Sequence, residues 1–214
     1  MKKTIICLAN SYKEGGRCIA GIELKDNEIV CKSGNPIWIR PICKTPHGEI
    51  PNEIAVDIDI LDIIEIGVKD FVPDNFQTEN VLFDISSIKV VGRFEKKILK
   101  SICNNRHSYI LSNKGKAVSS EQINDLDHSL TLISVTDFKV YEKTYQEDSG
   151  FQQIRLKFTY NTFEYDLPIT DPIFLLNYKR NGQILTKVEE LYLVISLGVL
   201  FEGWHYKIVA AIIY

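Results

Sequence analysis

Branched and aromatic residues come in short runs along this sequence, and most runs end at a turn-forming residue. Ile is abundant, with 30 copies, whereas there are only 6 Ala and 1 Met. Branched and aromatic side chains pack well on a pleated sheet and lose rotamer freedom on a helix. No uncharged apolar stretch reaches the roughly 18 to 20 residues that a membrane-spanning helix needs. The sequence therefore predicts a mainly β protein without a membrane span.

The first 94 residues contain four or five predicted strands. A strand at 4–9 and a second at 17–24 flank a Gly-Gly turn, which predicts a hairpin. Further strands are predicted at 37–42, 54–68 and 87–94, and the alternation of apolar and acidic residues slips near Leu61, as at a β-bulge. Short strands with Gly and Pro punctuation are typical of a small barrel.

The middle and the second half have different patterns. Residues 95–103 have apolar positions at helical spacing among lysines, and 119–123 resemble a capped helix start. Strands follow at 130–141, 153–160, 162–169, 191–197 and 204–214, with a helix predicted at 171–180. We expect a first barrel over 1–94, a basic helical connector over 95–128 and a second barrel over 129–214.

Charge is distributed unevenly along the chain. Residues 49–84 hold ten carboxylates and one lysine, while residues 86–116 hold eight Lys or Arg and one Glu, although the whole chain has a formal charge of only -3. A basic connector could meet a phosphate backbone, whereas an acidic strand would repel one.

Two sets of residues, one toward each end of the chain, carry a resemblance to a known family. The N-terminal set comprises 4–13, 16–21 and Trp38-Ile39-Arg40-Pro41; the C-terminal set comprises 167–172, 196–198 and 201–207. Both sets resemble a bacterial family of proteins with two OB domains. The resemblance implies two tandem OB-like barrels. It also implies a role in nucleic-acid binding or sensing within bacterial conflict systems, and it brings no catalytic motif.

OB barrels bind single strands by combining a cationic groove with aromatic stacking surfaces. Trp38 and Arg40 supply both on one strand face. Alternatively, Trp38 covers a barrel end and Arg40 pairs with the strand face that carries Asp57 and Asp59. The Gly-rich hairpin around Lys13 either approaches an anion or is an ordinary turn. The lysines after residue 86 either contact phosphates or form a solvated helix face. The candidate nucleic-acid-binding residues are Asn10, Lys13, Arg17, Trp38, Arg40, Lys89, Arg93, Lys96, Lys97, Lys100 and Arg106.

Catalysis is not expected. Asp57, Asp59, Asp62 and Glu65 could hold two Mg²⁺ ions, but no lysine or histidine accompanies them at a fixed spacing, and alternating Asp is typical of a solvated strand face. The five cysteines form no Cys-x-x-Cys pair, which favours reduced thiols, a cytoplasmic location and no metal or cofactor.

Two functions remain open at this point. One is non-catalytic binding of single-stranded nucleic acid or a nucleotide. The alternative is an adaptor that docks a protein partner through an acidic barrel face and strand edges.

Overall fold

The computed structural model describes residues 1–103, 107–145 and 151–214. It confirms a mainly β protein. The chain forms two compact units: unit 1 comprises residues 1–102 and 127–129, and unit 2 comprises 103–126 and 130–214. The stretch predicted as a connector is divided between the units, and its described part contains only short helices and one short strand.

Unit 1 contains a closed barrel. Its strands are β1 (Lys2–Lys13), β2 (Gly16–Lys25), β3 (Glu28–Ile29), β4 (Cys31–Lys32), β5 (Asn35–Pro36), β6 (Trp38–Ile42), β7 (Asp62–Phe71) and β8 (Asn80–Arg93). Five of them form a ring in the order β1-β7-β8-β6-β2, which β1–β2 pairing closes. The β6–β8 pairing is parallel, and the other pairings in the ring are antiparallel. Ile5, Ile19, Ile64 and Phe83 belong to the buried core inside this ring.

Gly21 shows how closely the strands of this barrel approach one another. A Cβ atom at Gly21 would lie 2.0 Å from the Ile6 carbonyl oxygen on β1, so a side chain here would require the backbone to move. A glycine within a strand often marks such a close approach.

The predicted strand over 54–68 is wrong in its first half. Residues Asn52–Ala55 form a short helix, α1, and β7 starts at Asp62. The Asn10 side-chain amide donates to the carbonyls of Ala55 and Ile58, both at 2.8 Å. These carbonyls are thus satisfied by a side chain, and the segment turns although its apolar residues alternate.

Short helices follow the barrel of unit 1. A 3-10 helix spans Lys96–Ile98 and leads directly into α2 (Leu99–Ile102). The start of unit 2 contains 3-10 helices at Ile110–Ser112 and Gln122–Asp125.

Unit 2 is built on two sheets. Its strands are β9 (Ala117–Ser119), β10 (Leu130–Val135), β11 (Phe138–Tyr145), β12 (Phe151–Tyr160), β13 (Phe163–Pro168), β14 (Leu191–Phe201) and β15 (Trp204–Ile213). One sheet has the order β10-β14-β15-β9 and the other has the order β11-β12-β13. A parallel bridge between Ile169 and Val209 connects the end of β13 to β15.

The strand predicted at 130–141 is two strands in the structure. The chain leaves β10 after Val135 and starts β11 at Phe138, so it pairs first with β14 and then with β12. At the break, the Asp137 carboxylate accepts a hydrogen bond from the Thr159 hydroxyl at 2.7 Å. The corner lets one continuous segment serve both sheets.

The strongest local predictions for unit 2 are confirmed. Strands β12 and β13 form the predicted hairpin, with positive φ at Asn161 and Thr162 in its turn. The predicted helix is α3 (Pro172–Arg180), whose first two free N–H groups are those of Ile173 and Phe174, and the Asp171 carboxylate accepts from both.

Candidate nucleic-acid interface

The acidic segment (residues 49–84) and the basic segment (residues 86–116) contribute neighbouring strands, β7 and β8. Asp62 of β7 lies opposite Arg93 of β8, and Glu65 lies opposite Lys89. The Arg93 and Asp62 side chains are 2.8 Å apart, and Lys89 and Glu65 are 3.0 Å apart. Hydrogen bonds from Lys89 and Lys2 lower the pKa of the Glu65 carboxyl. Lys89 and Arg93, two candidate ligand contacts, are therefore cross-strand partners of carboxylates.

The remaining candidate cations of this stretch lie beyond β8. Lys96, Lys97 and Lys100 are exposed on the short helices at the end of unit 1. Lys97 forms an ion pair with Glu95 at 2.5 Å, and a hydrogen bond with that carboxylate raises the pKa of Lys97. Arg106 lies outside the described residues.

Arg40 occupies the interior of unit 1, so the expectation that it contacts a ligand needs correction. Its guanidinium lies 3.0 Å from the Glu79 carboxylate, with only 3% of either side chain exposed. It also donates to the Ser129 hydroxyl at 2.6 Å, and that hydroxyl in turn donates to Glu79. The alternative of an acidic partner is nearer to the observed arrangement, but the partner is Glu79 rather than Asp57 or Asp59. Trp38, two residues earlier, is half-buried.

Three candidate nucleic-acid-binding residues lie in or next to the Gly-rich hairpin between β1 and β2; one is structural and two are accessible. Asn10 is buried and holds the turn after α1, so it too is corrected from ligand contact to structural residue. Lys13 and Arg17 are half-buried. The Arg17 guanidinium lies over the Tyr12 ring at 4.7 Å, and its Nε donates to the Asn52 side chain at 2.9 Å. Tyr12, 54% exposed, adds an aromatic ring to this hairpin that the sequence interpretation missed.

The carboxylates considered for a two-metal site are dispersed. Asp57 and Asp59 are exposed in the turn before β7, while Asp62 and Glu65 are engaged by cations on β8. Throughout the part of the chain that the structure describes, no three His, Cys, Asp or Glu side chains are grouped to hold a metal ion.

Unit 2 presents cations and aromatic rings on the outer face of its three-stranded sheet. Lys139, Tyr141, Lys143 and Tyr145 alternate along β11 and therefore lie on one face. Their partners on β12 are Lys157, Arg155, Gln153 and Phe151, in that order. The other face of β11 carries Phe138 and Val140, which lie opposite the buried Phe158 and Leu156. We call the outer set on β11, with Gln153, Arg155 and Lys157, the lysine-tyrosine face.

Hydrogen bonds hold the centre of the lysine-tyrosine face in place. Asp166 of β13 accepts from the Tyr141 hydroxyl at 2.7 Å and from Arg155 Nε at 2.8 Å. Burial and the Asp166 hydrogen bond raise the pKa of Tyr141. For Asp166, burial opposes ionisation, but the bonds from Tyr141 and Arg155 outweigh it and lower the pKa of the carboxyl. Tyr141 is thus fixed as a neutral ring at physiological pH.

Two lysines of this face remain available to an anion. Lys157 is paired with Glu164 at 2.8 Å, and Arg155 is paired with Asp166. Lys139 and Lys143 are exposed, and neither forms an ion pair with any residue within 1–103, 107–145 or 151–214. The Lys143 ammonium lies 4.9 Å from the centre of the Tyr145 ring, which places a positive charge beside an aromatic surface.

The family model of the dual OB-containing domain matches residues 3–212. The chain belongs to this family. The resemblance noted in the sequence is thereby confirmed, and the closed five-stranded barrel of unit 1 and the half-barrel of unit 2 are its two OB domains. In the dual OB fold seen here, β10 and β11 together take the place of the first strand of unit 2, so that β13 is its third main strand and β15 its fifth. Each unit thus joins its third and fifth main strands in parallel, at β6–β8 and at the Ile169–Val209 bridge.

Two solved structures resemble the dual OB chain over nearly its whole length. One is described as "Molecular basis for abrogation of activation of pro-inflammatory cytokines"; it has 15% identity and a TM-score of 0.34, with 99% of this chain and 88% of that chain covered. The other is "Crystal structure of the tetrameric p202 HIN2", with 12% identity, a TM-score of 0.31 and coverage of 100% and 92%. At these TM-scores neither likeness bears on function. No curated protein matches the chain.

The pattern that defines the lysine-tyrosine face is present in the sequence and could have been predicted from it. The order Lys-Val-Tyr-Glu-Lys-Thr-Tyr over 139–145 places two lysines and two tyrosines at a period of two. The predicted strand ended at Tyr141, so it contained only the first half of the alternation.

No helix in the described ranges has the length and apolar character to cross a membrane.

Proposed function

We propose that this protein binds single-stranded nucleic acid through the lysine-tyrosine face of unit 2, without catalysis. The alternation of Lys139, Tyr141, Lys143 and Tyr145 on one face of β11 is the observation that carries the proposal. OB domains generally bind nucleic acids, and their strands 2 and 3 form the binding face. In unit 2, β12 and β13 take those positions, and β11 lies beside them.

The chemistry of the face suits a strand whose bases are unpaired. The two rings of β11, Tyr141 and Tyr145, are four residues apart, at a spacing of about 13 Å, and Lys143 lies between them. Every base has a π-face that can stack on a tyrosine, and every phosphate can be met by a lysine between the rings. The hydrogen bonds to Asp166 hold the Tyr141 ring in one orientation before any ligand arrives. A base bound there would therefore not have to order that ring.

Stacking should contribute more to affinity than charge does. Arg155 and Lys157 are already paired with carboxylates of β13, which leaves Lys139 and Lys143 to contact phosphates. Double-stranded nucleic acid hides its base faces and offers mainly phosphate contacts to such a surface. We therefore expect a preference for single strands.

The test is fluorescence anisotropy with the purified chain and labelled 20-nucleotide single strands of DNA and RNA, matched duplexes and free nucleotides. Tyr141→Ala should weaken single-strand binding by about 1 to 3 kcal/mol, because one stacking surface is lost. Lys139→Glu combined with Lys143→Glu should also weaken it, because two phosphate contacts are lost and two negative charges are added. Lys179→Glu, an exposed lysine on α3, is the matched control and should leave affinity unchanged.

Absence of binding to every strand, duplex and nucleotide would exclude the proposal and leave the adaptor alternative. The acidic face on which that alternative depended is partly neutralised, because Asp62 and Glu65 pair with cations of β8. Cleavage of the strands in Mg²⁺ would contradict the non-catalytic part. The family resemblance further supports a proposed role as a nucleic-acid-sensing component of a bacterial conflict system.

A further inference from the structure

The hairpin that connects β14 to β15 exposes large apolar side chains in sequence order. Val199 is 71% exposed, Leu200 57%, Phe201 61% and Trp204 45%. Single exposed apolar residues are common on protein surfaces, but contiguous ones mark interaction sites. None of these residues belongs to the lysine-tyrosine face, which lies on β11 and β12.

The hairpin is held in place rather than left free. Its turn contains Gly203, whose carbonyl oxygen accepts hydrogen bonds from both the backbone N–H and the hydroxyl of Ser120, at 3.3 and 3.0 Å. Trp204 also pairs with Ser119 of β9. The apolar side chains are therefore presented by a supported backbone, and a ligand would not have to order it on binding.

Three rings of this hairpin share one face. Phe201 and Trp204 are directly opposite each other across the hairpin, and Tyr206 follows Trp204 by two residues. The Phe201 and Tyr206 ring centres are 6.4 Å apart. The Lys116 ammonium lies 5.9 Å from the centre of the Tyr206 ring. We call Phe201, Trp204 and Tyr206 the aromatic hairpin.

We propose that the aromatic hairpin is a second binding site, which takes an unpaired nucleobase of the strand that the proposed function assigns to this protein. A base would stack on an exposed ring, and the lysine beside the rings would contact a backbone phosphate of the same nucleotide. Lys114, also exposed, lies two residues from Lys116 and adds to the positive charge of this segment.

A nucleobase fits this surface better than an apolar protein partner does. The centre of a protein–protein interface is depleted of charged groups, whereas here an ammonium lies over one of the rings. A lysine beside aromatic rings is the combination that single-strand-binding surfaces use. The aliphatic Val199 and Leu200 extend the apolar area next to the rings.

Trp204 itself can report on the site. The chain has two tryptophans, so Trp38→Phe leaves Trp204 as the source of tryptophan fluorescence. In this background, a 20-nucleotide oligothymidylate should quench Trp204 emission as it binds. An abasic strand of the same length, which keeps the phosphates and lacks the bases, should leave the emission unchanged.

Affinity provides the second measurement. Trp204→Ala in the otherwise unaltered chain should weaken oligothymidylate binding by about 5- to 150-fold in anisotropy. Leu176→Ala is the matched control, because Leu176 is an exposed apolar residue of unit 2 on α3, 45% exposed as Trp204 is. Its affinity should equal that of the parent, and circular dichroism should show both variants folded.

Three results would overturn the inference. If oligothymidylate binds with Trp204 emission and Trp204→Ala affinity both unchanged, the hairpin is not a base site, although the proposed function stands. If Trp204→Ala changes the oligomeric state in light scattering and leaves strand affinity intact, the hairpin docks protein instead. If no strand binds the parent chain at all, the proposed function fails together with the inference.

Discussion

Arg40 and Glu79 form an ion pair in the interior of unit 1, with the Ser129 hydroxyl bonded to both side chains. Loss of one partner leaves a buried charge uncompensated, which costs about 3 to 5 kcal/mol. We therefore expect Arg40→Met to lower the free energy of unfolding by that amount in urea titrations. Arg40→Met combined with Glu79→Leu should lose less, since neither charge remains. An Arg40→Met protein of parental stability that no longer binds nucleic acid would restore Arg40 as a ligand contact.

Lys207 is completely buried in unit 2, and its ammonium is surrounded by oxygen acceptors. It donates to the carbonyl and side-chain oxygens of Asn113, at 2.6 and 3.0 Å, and to the Gly115 carbonyl at 2.9 Å. The ring of Tyr165 lies 5.4 Å away, and no carboxylate within the described residues forms an ion pair with it. Burial lowers the pKa of Lys207 to about 7.

This pKa makes the stability of unit 2 depend on pH. Between pH 7 and the pKa of an unfolded lysine, about 10.4, the unfolded chain binds a proton that the folded chain does not. Stability conferred by this group therefore rises with pH across that window, by about 1 kcal/mol per pH unit. In urea titrations at pH 7, 8 and 9, the free energy of unfolding of the parent should rise with pH relative to that of Lys207→Met. The variant keeps every Cys and Tyr, so the titration of those groups cancels in the comparison. A constant difference between the two proteins would contradict the assignment.

At the scale of elements, the pairing of β7 with β8 brings the acidic and basic segments of the sequence together. The acidic block and the basic block face each other across one antiparallel pair, at Asp62–Arg93 and Glu65–Lys89. Opposite charges directly across a ladder stabilise that register. The sequence shows two charged segments, but only the three-dimensional pairing shows that they compensate each other.

Local patterns were predictable where one or two residues decide them. The β12–β13 turn and the Asp171-Pro172 start of α3 depend on neighbouring residues, and both were predicted. The helix at Asn52–Ala55 depends instead on Asn10, more than forty residues away, and the alternation at 56–60 gave no sign of it. Arg40 was misassigned for a similar reason, since Glu79 and Ser129 are distant in sequence.

Asp171 connects α3 to the last strand of unit 2. One carboxylate oxygen accepts from the N–H groups of Ile173 and Phe174, and the other accepts from Ile212 N at 3.1 Å. Asp171→Ala removes a helix cap, at about 1 kcal/mol, and leaves a buried strand N–H unsatisfied, at about 1 to 3 kcal/mol. We expect a total loss near 3 kcal/mol in thermal or urea unfolding. Asp171→Asn keeps an oxygen for the cap and should lose less; equal losses would show that the cap contributes nothing.

On the scale of the whole molecule, each OB unit carries candidate contacts, and their charges are compensated to different extents. Unit 1 has exposed Lys96 and Lys100 beyond its barrel, together with the Tyr12–Arg17 pair at its β1–β2 hairpin. Unit 2 has Lys139 and Lys143 among tyrosines. The formal net charge of -3 gives the chain no overall attraction to a polyanion. Binding should therefore depend on a few specific lysines, and salt dependence can count them.

The salt dependence of binding decides which unit holds the strand. Each phosphate contact to a single strand contributes about 0.7 to the slope of log affinity against log salt concentration. Lys139→Gln combined with Lys143→Gln should therefore lower the slope by about 1.4. Lys96→Gln, Lys97→Gln and Lys100→Gln together should leave it unchanged if the lysine-tyrosine face is the site. Tyr141→Ala should weaken binding at every salt concentration with the parental slope, because a neutral ring displaces no counterions. A fall of about 2 in the triple variant, with no change in the double variant, would move the phosphate contacts to unit 1.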